Sequence, residues 1–284
     1  MQSDTGESQT TNTVDSSSKS IALSINVNKV ALIRNSREGD NPNLVDHAAH
    51  CLDLGCQGIT VHPRPDQRHI RPEDCQALAQ LVAQRKSANA GIELNIEGNP
   101  FAAPTAAKRR DFSDYPGFLA IVESAQPDQA TLVPDTDAQL TSDHGFDLRG
   151  DNAALEQHIA HCKASGARVS LFMDPDIDQI SRAREVGADC IELYTGPFAE
   201  AFASGEQAEA KRIFEQHCAA AEHALSCGLA VNAGHDLNYH NLRMYRDLPG
   251  LEEVSIGHAF IVDSIELGLE TCMEYYLAAL QPQS

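Results

Sequence analysis

Short apolar stretches alternate along the chain with longer segments whose apolar residues recur at helical spacing. Eight of these stretches contain β-branched or other large apolar residues and are short enough to be buried strands. They are Ile21–Val27, Gly58–His62, Gly91–Glu97, Ala130–Pro134, Arg168–Asp174, Cys190–Gly196, Leu229–Gly234 and Glu252–His258. The pattern therefore predicts eight strands, separated mostly by helices.

Several of the intervening helices are predicted to end at a glycine, which is followed within a few residues by the next strand. Glycine can adopt the left-handed conformation that ends a helix without a steric penalty at Cβ. The predicted helices are Asn41–Leu54, Asp151–Ser165, Asp176–Val186 and Gln207–Cys227, and the glycines are Gly55, Gly166, Gly187 and Gly228.

This alternation indicates βαβ units and a parallel sheet. Eight units in a chain of this length favour a closed (β/α)₈ barrel, which typically has about 250 residues. An open doubly wound sheet is the alternative. Such a sheet usually has a glycine-rich phosphate turn after its first strand, and the sequence INVNKVALIRNSR contains no glycine.

Two segments depart from the regular alternation. Residues 98–116 are longer than an ordinary connection, and their prolines confine the next helix to about Gly117–Ser124. This enlarged loop could be a lid, an oligomer contact or a passive insertion. Residues 1–20 are polar and are predicted to be a disordered tail, which leaves 21–284 as a single barrel.

Composition narrows the range of partners and compartments. The 284 residues include 41 acids and 21 bases, for a formal charge of −20, so nucleic acid and anionic membranes are not expected partners. No apolar run approaches the roughly 20 residues that cross a bilayer, and no secretion signal is evident. The eight cysteines form no CxxC pair. We therefore expect a soluble, cytoplasmic protein with reduced and mostly buried thiols.

The stretch GITVHPRPDQRH, Gly58–His69, carries most of the candidate chemistry that follows one strand. A short apolar strand is followed at once by a loop with two prolines and several ionisable side chains. Active sites of (β/α)₈ barrels lie at the carboxyl ends of the strands, and other predicted strands end in the same way. The side chains expected to converge there are Asn26, Asn28, Lys29, His62, Arg64, His69, Asn95, Glu97, Asp135, Thr141, Asp174, Glu192, Tyr194, Thr195, Asn232, His235, Gly257 and His258.

Residue type suggests roles for part of this set. Imidazoles, and a carboxylate of raised pKa, exchange protons near neutral pH, so the candidate acids and bases are His62, Glu97 and His235. Cationic side chains that could hold phosphate or carboxylate are Lys29, Arg37 and Arg64. Two of these residues could instead have a purely structural role: Glu97 as an ion-pair partner inside the barrel, and His258 as a structural histidine. No HExxH, CxxC or clustered carboxylate motif predicts a catalytic metal.

Lys29 supports a different hypothesis. A lysine at a strand end of a barrel can form a Schiff base with a carbonyl substrate, which would make the protein an aldolase-like enzyme acting on phosphosugars. A covalent adduct trapped by borohydride would identify such chemistry.

Several longer motifs resemble one known family. In order along the chain they are LSINVNKVALIRNSR, GITVHPRPDQRHI, LNIEGN, TLVPD, VSLFMDPD, VNAGHDLNYHN and SIGHAFI. Together they closely resemble the pyridoxine 5′-phosphate synthase family, from about Ile21 to the end of the chain. The resemblance implies a (β/α)₈ barrel with additional helices and a homo-octamer. It also implies condensation of 3-amino-2-oxopropyl phosphate with 1-deoxy-D-xylulose 5-phosphate, with release of phosphate and water and with no redox or metal cofactor.

The resemblance also implies residue roles. Proton acceptors correspond to His62 and Glu97, and the proton donor corresponds to His235. Positions that bind the amino-ketone phosphate correspond to Asn26, Arg37, Gly257 and His258, with Arg37 serving a neighbouring subunit's site. Positions that bind the deoxyxylulose phosphate correspond to Arg64, His69 and Thr141.

The chain departs from the family pattern at two places. Many members carry Asp-His after the first strand where this chain has Asn28-Lys29, and many carry glycine after the catalytic histidine where it has Asp236. Substrate contact is predicted at all three positions, although a carboxylate at 236 would repel phosphate unless it points away. A further alternative is that the protein is an inactive binding paralogue. The presence of all three candidate proton-transfer residues argues against it.

Overall fold

The computed structural model describes residues 20–136 and 139–282, and the described residues form a closed barrel of eight parallel strands. The strands are β1 Ala22–Asn26, β2 Gly58–Val61, β3 Glu93–Gly98, β4 Gln129–Leu132, β5 Arg168–Met173, β6 Cys190–Tyr194, β7 Ala230–Gly234 and β8 Leu251–Ile256. They pair in sequence order, and β1 closes the barrel against β8 with Ser24 opposite Ser255. The predicted (β/α)₈ barrel is confirmed, and the open sheet is excluded.

Eleven helices surround the barrel or cover its ends in the part of the chain that the structure describes. They are α1 Asn28–Asn35, α2 Leu44–Asp53, α3 Pro72–Lys86, α4 Phe118–Ala125, α5 Ala153–Ala164, α6 Ile177–Glu185, α7 Gly196–Ala203, α8 Gln207–Ser226, α9 Leu242–Tyr245, α10 His258–Leu267 and α11 Leu269–Leu280. The four predicted helix-ending glycines all have positive φ, between 76° and 107°. Their backbone conformation is therefore the one for which glycine was expected.

A single residue, Val27, separates the end of β1 from the start of α1. Asn28 and Lys29, which sequence reasoning treated as the end of a strand, therefore occupy the first turn of this helix. The short connection places the amino terminus of α1 directly at the mouth of the barrel.

The enlarged loop after β3 contains neither helix nor regular strand, but specific contacts hold it in place. Thr105 and Tyr115 exchange two backbone hydrogen bonds, with N–O distances of 2.8 and 2.9 Å. Two guanidinium groups contact the ring of Phe112, that of Arg71 at 4.1 Å and that of Arg109 at 4.3 Å from the ring centre. Arg109 also donates to the carbonyl of Asn35 at the end of α1. These contacts fix the loop against α1 and α3.

The interior of the barrel is unusually polar. Ser24 and Thr60 share a hydrogen bond of 2.7 Å, and Asn232 donates to Gln129 over 3.1 Å. Buried hydroxyl, amide and carboxyl groups also come from Asn95, Thr131, Ser170, Glu192, Glu253 and Ser255. Apolar side chains of the same strands face the helices instead, so the hydrophobic core lies outside the barrel wall.

The tail predicted over residues 1–20 lies outside the described residues except for Ser20. No described helix is long and apolar enough to cross a membrane. All eight cysteines are free thiols, six of them buried, as expected.

Candidate active site

The carboxyl ends of the strands open into one cavity of about 240 Å³. Most of the residues that line it were predicted from the sequence to lie at strand ends and to take part in catalysis or substrate binding. The lining residues are Asn26, Asn28, Lys29, His62, Arg64, His69, Glu97, Val133, Leu140, Thr141, Ser142, Phe172, Glu192, His235, Asp236, Ser255, Gly257 and His258.

The start of α1 positions the loop that carries His62. The Asn26 side chain accepts a hydrogen bond from the backbone N–H of Asn28 over 3.0 Å, which satisfies a free amide at the helix terminus. The Asn28 side chain in turn accepts from the backbone N–H of His62 over 2.9 Å. Asn28 therefore fixes the histidine, and its amide oxygen is engaged by the protein.

His62 and Glu97 lie close together in the cavity, and their pKa values are shifted in opposite directions. His62 Nδ1 lies 3.9 Å from Glu97 Oε2, and both side chains are largely buried. Burial first, and then the positive charge of Arg64, hold the pKa of His62 well below its usual range. Burial, then the carboxylates of Asp135 and Glu253, raise the pKa of Glu97 to about 8. Near neutral pH the imidazole is thus an unprotonated base and the carboxyl group is poised to exchange a proton.

A buried ion pair fixes Arg64 at the side of the cavity. Its guanidinium donates to Asp135 Oδ2, which also accepts from Ser142 over 2.8 Å and lies 3.9 Å from His62 Nε2. Arg64 also donates to the carbonyls of Thr136 and Gln139. The arginine therefore connects the loop after β2 to the segment after β4.

Contacts of the loop after β2 determine the tautomer of His69. The backbone N–H of Ile70 donates to His69 Nδ1 over 2.9 Å, so the neutral ring carries its proton on Nε2. Burial, followed by Arg64, lowers the pKa of His69 to about 3, so the ring is a neutral hydrogen-bond donor. Arg68 braces the same loop by donating to Asp66 over 2.7 Å and to the carbonyl of Gln139 over 3.0 Å.

The opposite wall is built around His235. Its Nε2 lies 2.5 Å from Thr141 Oγ1, and its Nδ1 lies 2.8 Å from Asp236 Oδ2. The hydroxyl of Thr195 donates to the carbonyls of Gly234 and His235, which fixes the backbone of the turn. His235 thus faces the cavity across from His62 and Glu97.

Glu192 reaches the cavity because residue 234 has no side chain. A Cβ at Gly234 would overlap Glu192 Oε1, so glycine makes the room that the carboxyl group occupies. Burial, followed by the charges of Glu97 and Glu253, raises the pKa of Glu192 well above its usual range. The cavity floor therefore carries a second carboxyl group that favours its protonated form.

Residues 23–282 match the profile of one protein family, described as pyridoxal phosphate biosynthesis protein PdxJ. The chain belongs to the PdxJ family. The chain is 48% identical over 260 residues to the pyridoxine 5′-phosphate synthase of Xanthomonas axonopodis pv. citri, covering 91% of this chain and 96% of that protein. It is 45% identical over 259 residues to the enzyme of the same name from Xylella fastidiosa, covering 91% and 94%.

Solved structures that resemble this member of the PdxJ family share its fold at low identity. Tryptophan synthase of Mycobacterium tuberculosis superposes with a TM-score of 0.59 at 10% identity, covering 93% of this chain and 94% of that one. Thiamine phosphate pyrophosphorylase from Pyrococcus furiosus gives a TM-score of 0.54 at 12% identity, covering 92% and 96%. These likenesses concern the barrel alone.

In this PdxJ-family chain the cavity is lined by every residue that the sequence assigned a catalytic or substrate-binding role except Arg37. Of the wider set expected at the strand ends, six residues do not line it: Asn95, Asp135, Asp174, Tyr194, Thr195 and Asn232. Arg37 follows the end of α1, is exposed, and does not line the cavity of its own chain. Asp236 lines the cavity and its carboxylate bonds to His235, so the side chain does not point away from the site.

Sequence reasoning named Asp135 and Glu192 at strand ends but gave neither a role. Their importance depends on contacts across the barrel, with Arg64 and with Gly234, which no local spacing indicates. Ser142 and Ser255 were missed altogether. A serine in the sequence does not indicate a functional site by itself. The partners that give these two serines their place in the site, Asp135 for Ser142 and Glu97 for Ser255, are known only from the structure.

The buried carboxyl groups predict how stability changes with pH. Burial, followed by Glu93, raises the pKa of Glu253 to about 7, and its Oε1 has no hydrogen-bond partner among the described residues. A group whose pKa is raised by folding contributes stability that is present below its unfolded pKa and is lost as pH rises through the folded value. The free energy of unfolding should therefore fall between about pH 4.5 and pH 7 because of this group.

Glu253→Gln should remove that part of the pH dependence. Because one pKa unit corresponds to about 1.4 kcal/mol, the variant should gain on the order of 3 kcal/mol relative to the wild type between pH 4.5 and pH 8. Urea titrations at several pH values measure the difference. Parallel pH profiles for the two proteins would contradict the prediction.

Proposed function

We propose that this chain is a pyridoxine 5′-phosphate synthase that condenses 3-amino-2-oxopropyl phosphate with 1-deoxy-D-xylulose 5-phosphate. One observation carries the proposal: His62, Glu97 and His235 face each other across a single cavity that also holds cationic and amide donors. The similarity to enzymes of that name over nine-tenths of the chain supports it.

The proposed reaction needs repeated proton transfer at several atoms. Imine formation, loss of water, loss of phosphate and ring closure each require a proton to be taken or given. His62 is neutral and can take a proton, and Glu97, with a pKa of about 8, can act in either direction near neutral pH. His235 lies on the other wall and can protonate a leaving group there. Groups on two walls can serve two faces of a bound substrate without moving.

The anionic ends of two substrates would need two sites, and the cavity offers two groups of donors. On one side lie Arg64, the Nε2–H of His69 and the hydroxyl of Thr141, which we assign to the deoxyxylulose phosphate. On the other side, Gly257 is the residue before α10, so the free N–H groups of that helix open toward the cavity. His258 and Asn26 flank this terminus, and we assign all three to the amino-ketone phosphate.

Asn28, Lys29 and Asp236 line the same cavity and could also contact substrate. Lys29 supplies a positive charge at the amino terminus of α1, where a phosphate is favoured by the helix dipole as well. Asn28 contributes through the position of His62 rather than through a free amide oxygen.

We propose that the enzyme is cytoplasmic and self-associates, as an octamer built from dimers. Exposed apolar side chains on the neighbouring helices α1 and α10 support association, because a contiguous apolar surface commonly marks a protein contact. They are Leu32, Ile33, Val262 and Ile265. Arg37 follows α1 beside this surface, where it could reach the site of a neighbouring subunit.

Incubation with both phosphorylated substrates tests the proposed reaction. We expect pyridoxine 5′-phosphate and inorganic phosphate to appear together, measured by absorbance of the ring and by a phosphate assay. Each substrate alone should give neither product. Borohydride added to the single-substrate mixtures separates the aldolase alternative, since a stable adduct at Lys29, seen by mass spectrometry, would contradict the proposal. Absence of both reactions would favour an inactive paralogue.

A further inference from the structure

The turn after β7 places two consecutive non-glycine residues in the left-handed region. His235 has φ of 77° and Asp236 has φ of 47°. Side chains rarely adopt this backbone, and aspartate tolerates it better than most because its short carboxylate can bond locally. Here that local bond is made to the neighbouring imidazole.

The contacts of His235 form a continuous chain of hydrogen bonds through the ring. Asp236 Oδ2 accepts from the Nδ1–H of His235 over 2.8 Å. On the other side of the ring, Nε2 lies 2.5 Å from Thr141 Oγ1 at the cavity wall. A carboxylate at Nδ1 selects the tautomer with a proton there and stabilises the doubly protonated ring.

We infer that Asp236 is a positioning residue for proton transfer by His235, whose imidazole it holds through Nδ1–H so that Nε2 is directed toward the cavity. The inference rests on the proposed role of His235 as proton donor. In this account Asp236 acts through the imidazole and is not itself a catalytic residue.

The charges around the pair agree with an ionised Asp236. Its hydrogen bond to His235 is the main cause that lowers the pKa of Asp236, helped by the positive charges of His258 and Lys29. Other titratable groups also face the turn. From the remaining elements these are His62 after β2, Asp143 beside Thr141, Asp174 after β5, Glu192 and Tyr194 of β6, and Glu200 of α7. Among these acidic groups of the described residues, Asp236 is the one whose carboxylate hydrogen-bonds to the His235 imidazole.

Direct phosphate binding by the Asp236 side chain is the weaker explanation. Its carboxylate is an acceptor without a proton to donate, and a phosphate oxygen needs a donor. The side chain is also already committed to Nδ1, so removing it should alter the imidazole before it alters the affinity for substrate.

Two substitutions separate charge from shape. Asp236→Asn keeps an oxygen that can accept from Nδ1 and tolerates the left-handed backbone, but it removes the charge. Asp236→Gly keeps the backbone conformation and removes both the acceptor and the charge. Asp143→Asn is the matched control, because it removes a carboxylate from the same rim that bonds to Gln139 and His144 instead.

The imidazole can be observed directly by NMR of enzyme that carries ¹⁵N-labelled histidine, with His235→Gln used to assign the signal. The neutral ring should carry its proton on Nδ1 in the wild type and in Asp236→Asn, where an oxygen still accepts from Nδ1, and this tautomer should be lost in Asp236→Gly. The kcat of Asp236→Gly should fall by on the order of tenfold or more with little change in KM, because the imidazole is no longer held in place. Asp236→Asn should keep most of kcat, and Asp143→Asn should change neither the tautomer nor kcat.

The outcomes distinguish this inference from the proposed function. An Nδ1-protonated tautomer that persists in Asp236→Gly overturns the inference, even if kcat falls. Loss of that tautomer with an unchanged kcat supports the effect of Asp236 on His235 but overturns the assignment of His235 as the proton donor. Loss of the tautomer together with a fall in kcat, both restored in Asp236→Asn, supports the inference and the assignment.

Discussion

His62→Ala, Glu97→Ala and His235→Ala should each lower turnover by orders of magnitude while the barrel stays folded. General acid–base groups commonly contribute 10²- to 10⁴-fold, so losses of about this size are expected. Each side chain lies at the cavity, where its removal leaves proton transfers to water. Steady-state rates with both substrates, with circular dichroism as a check of folding, measure the effect. Near-normal rates in all three variants would refute the proposed function.

Glu97→Gln gives the sharper form of this experiment. Glutamine has the same shape and can still accept from Asn26, whose Nδ2 lies 3.4 Å from Glu97 Oε2, but it cannot exchange a proton. The matched control is Glu253→Gln, which removes another buried carboxyl group of raised pKa that does not line the cavity. We expect kcat to fall about 10²- to 10⁴-fold in the first variant and by less than about tenfold in the second. Equal losses in the two would indicate a structural role for Glu97.

Arg34→Leu should be among the most destabilising single substitutions. The Arg34 side chain is 2% exposed and donates to both carboxylate oxygens of Asp74, over 2.7 and 2.8 Å. It also donates to the carbonyl of His69, which ties α1 to the loop after β2. Removing one partner leaves the other charge buried without compensation, which typically costs about 3–5 kcal/mol. Urea unfolding should report a loss of that size.

The control for this prediction is an arginine with the same bidentate geometry at the surface. Arg212 pairs with Glu209 on α8, and their side chains are 55% and 42% exposed. Arg212→Leu should change the free energy of unfolding by less than about 1 kcal/mol, since exposed ion pairs contribute little. Combining Arg34→Leu with Asp74→Asn should recover part of the loss, because the uncompensated charge is then removed. No recovery would mean that the contact with His69, rather than the ion pair, holds the structure.

The sequence predicted those features of the fold that leave a local pattern. Strand β2 was visible as an apolar run ending in prolines, and the left-handed helix ends at Gly166 and Gly187 were visible as glycines after amphipathic segments. Because the ends of parallel strands meet at one mouth, the positions of His62, Glu97 and His235 followed from the barrel.

The features that were not predictable depend on partners far apart in the chain. Thr131 bonds to Asn95, 36 residues away, and Asn232 bonds to Gln129, 103 residues away. The strand ends placed Asn95 and Asn232 at the mouth of the barrel, but hydrophobic periodicity indicates neither their partners nor their burial inside it. Arg64 was expected to hold substrate, but only the structure shows that Asp135 holds it in place.

The buried carboxyl groups of the barrel have a consequence for folding itself. Glu97, Glu192 and Glu253 bind protons more tightly in the native chain than in the unfolded one. These three groups therefore take up protons when the chain folds near neutral pH, and by mass action protons behave toward them as a ligand of the native state. His62 and His69, whose pKa values are lowered, act in the opposite direction as the pH falls below their usual range. Opposite shifts of the buried acids and the buried histidines therefore confine the stabilising effect of acidity to the pH range above that of histidine.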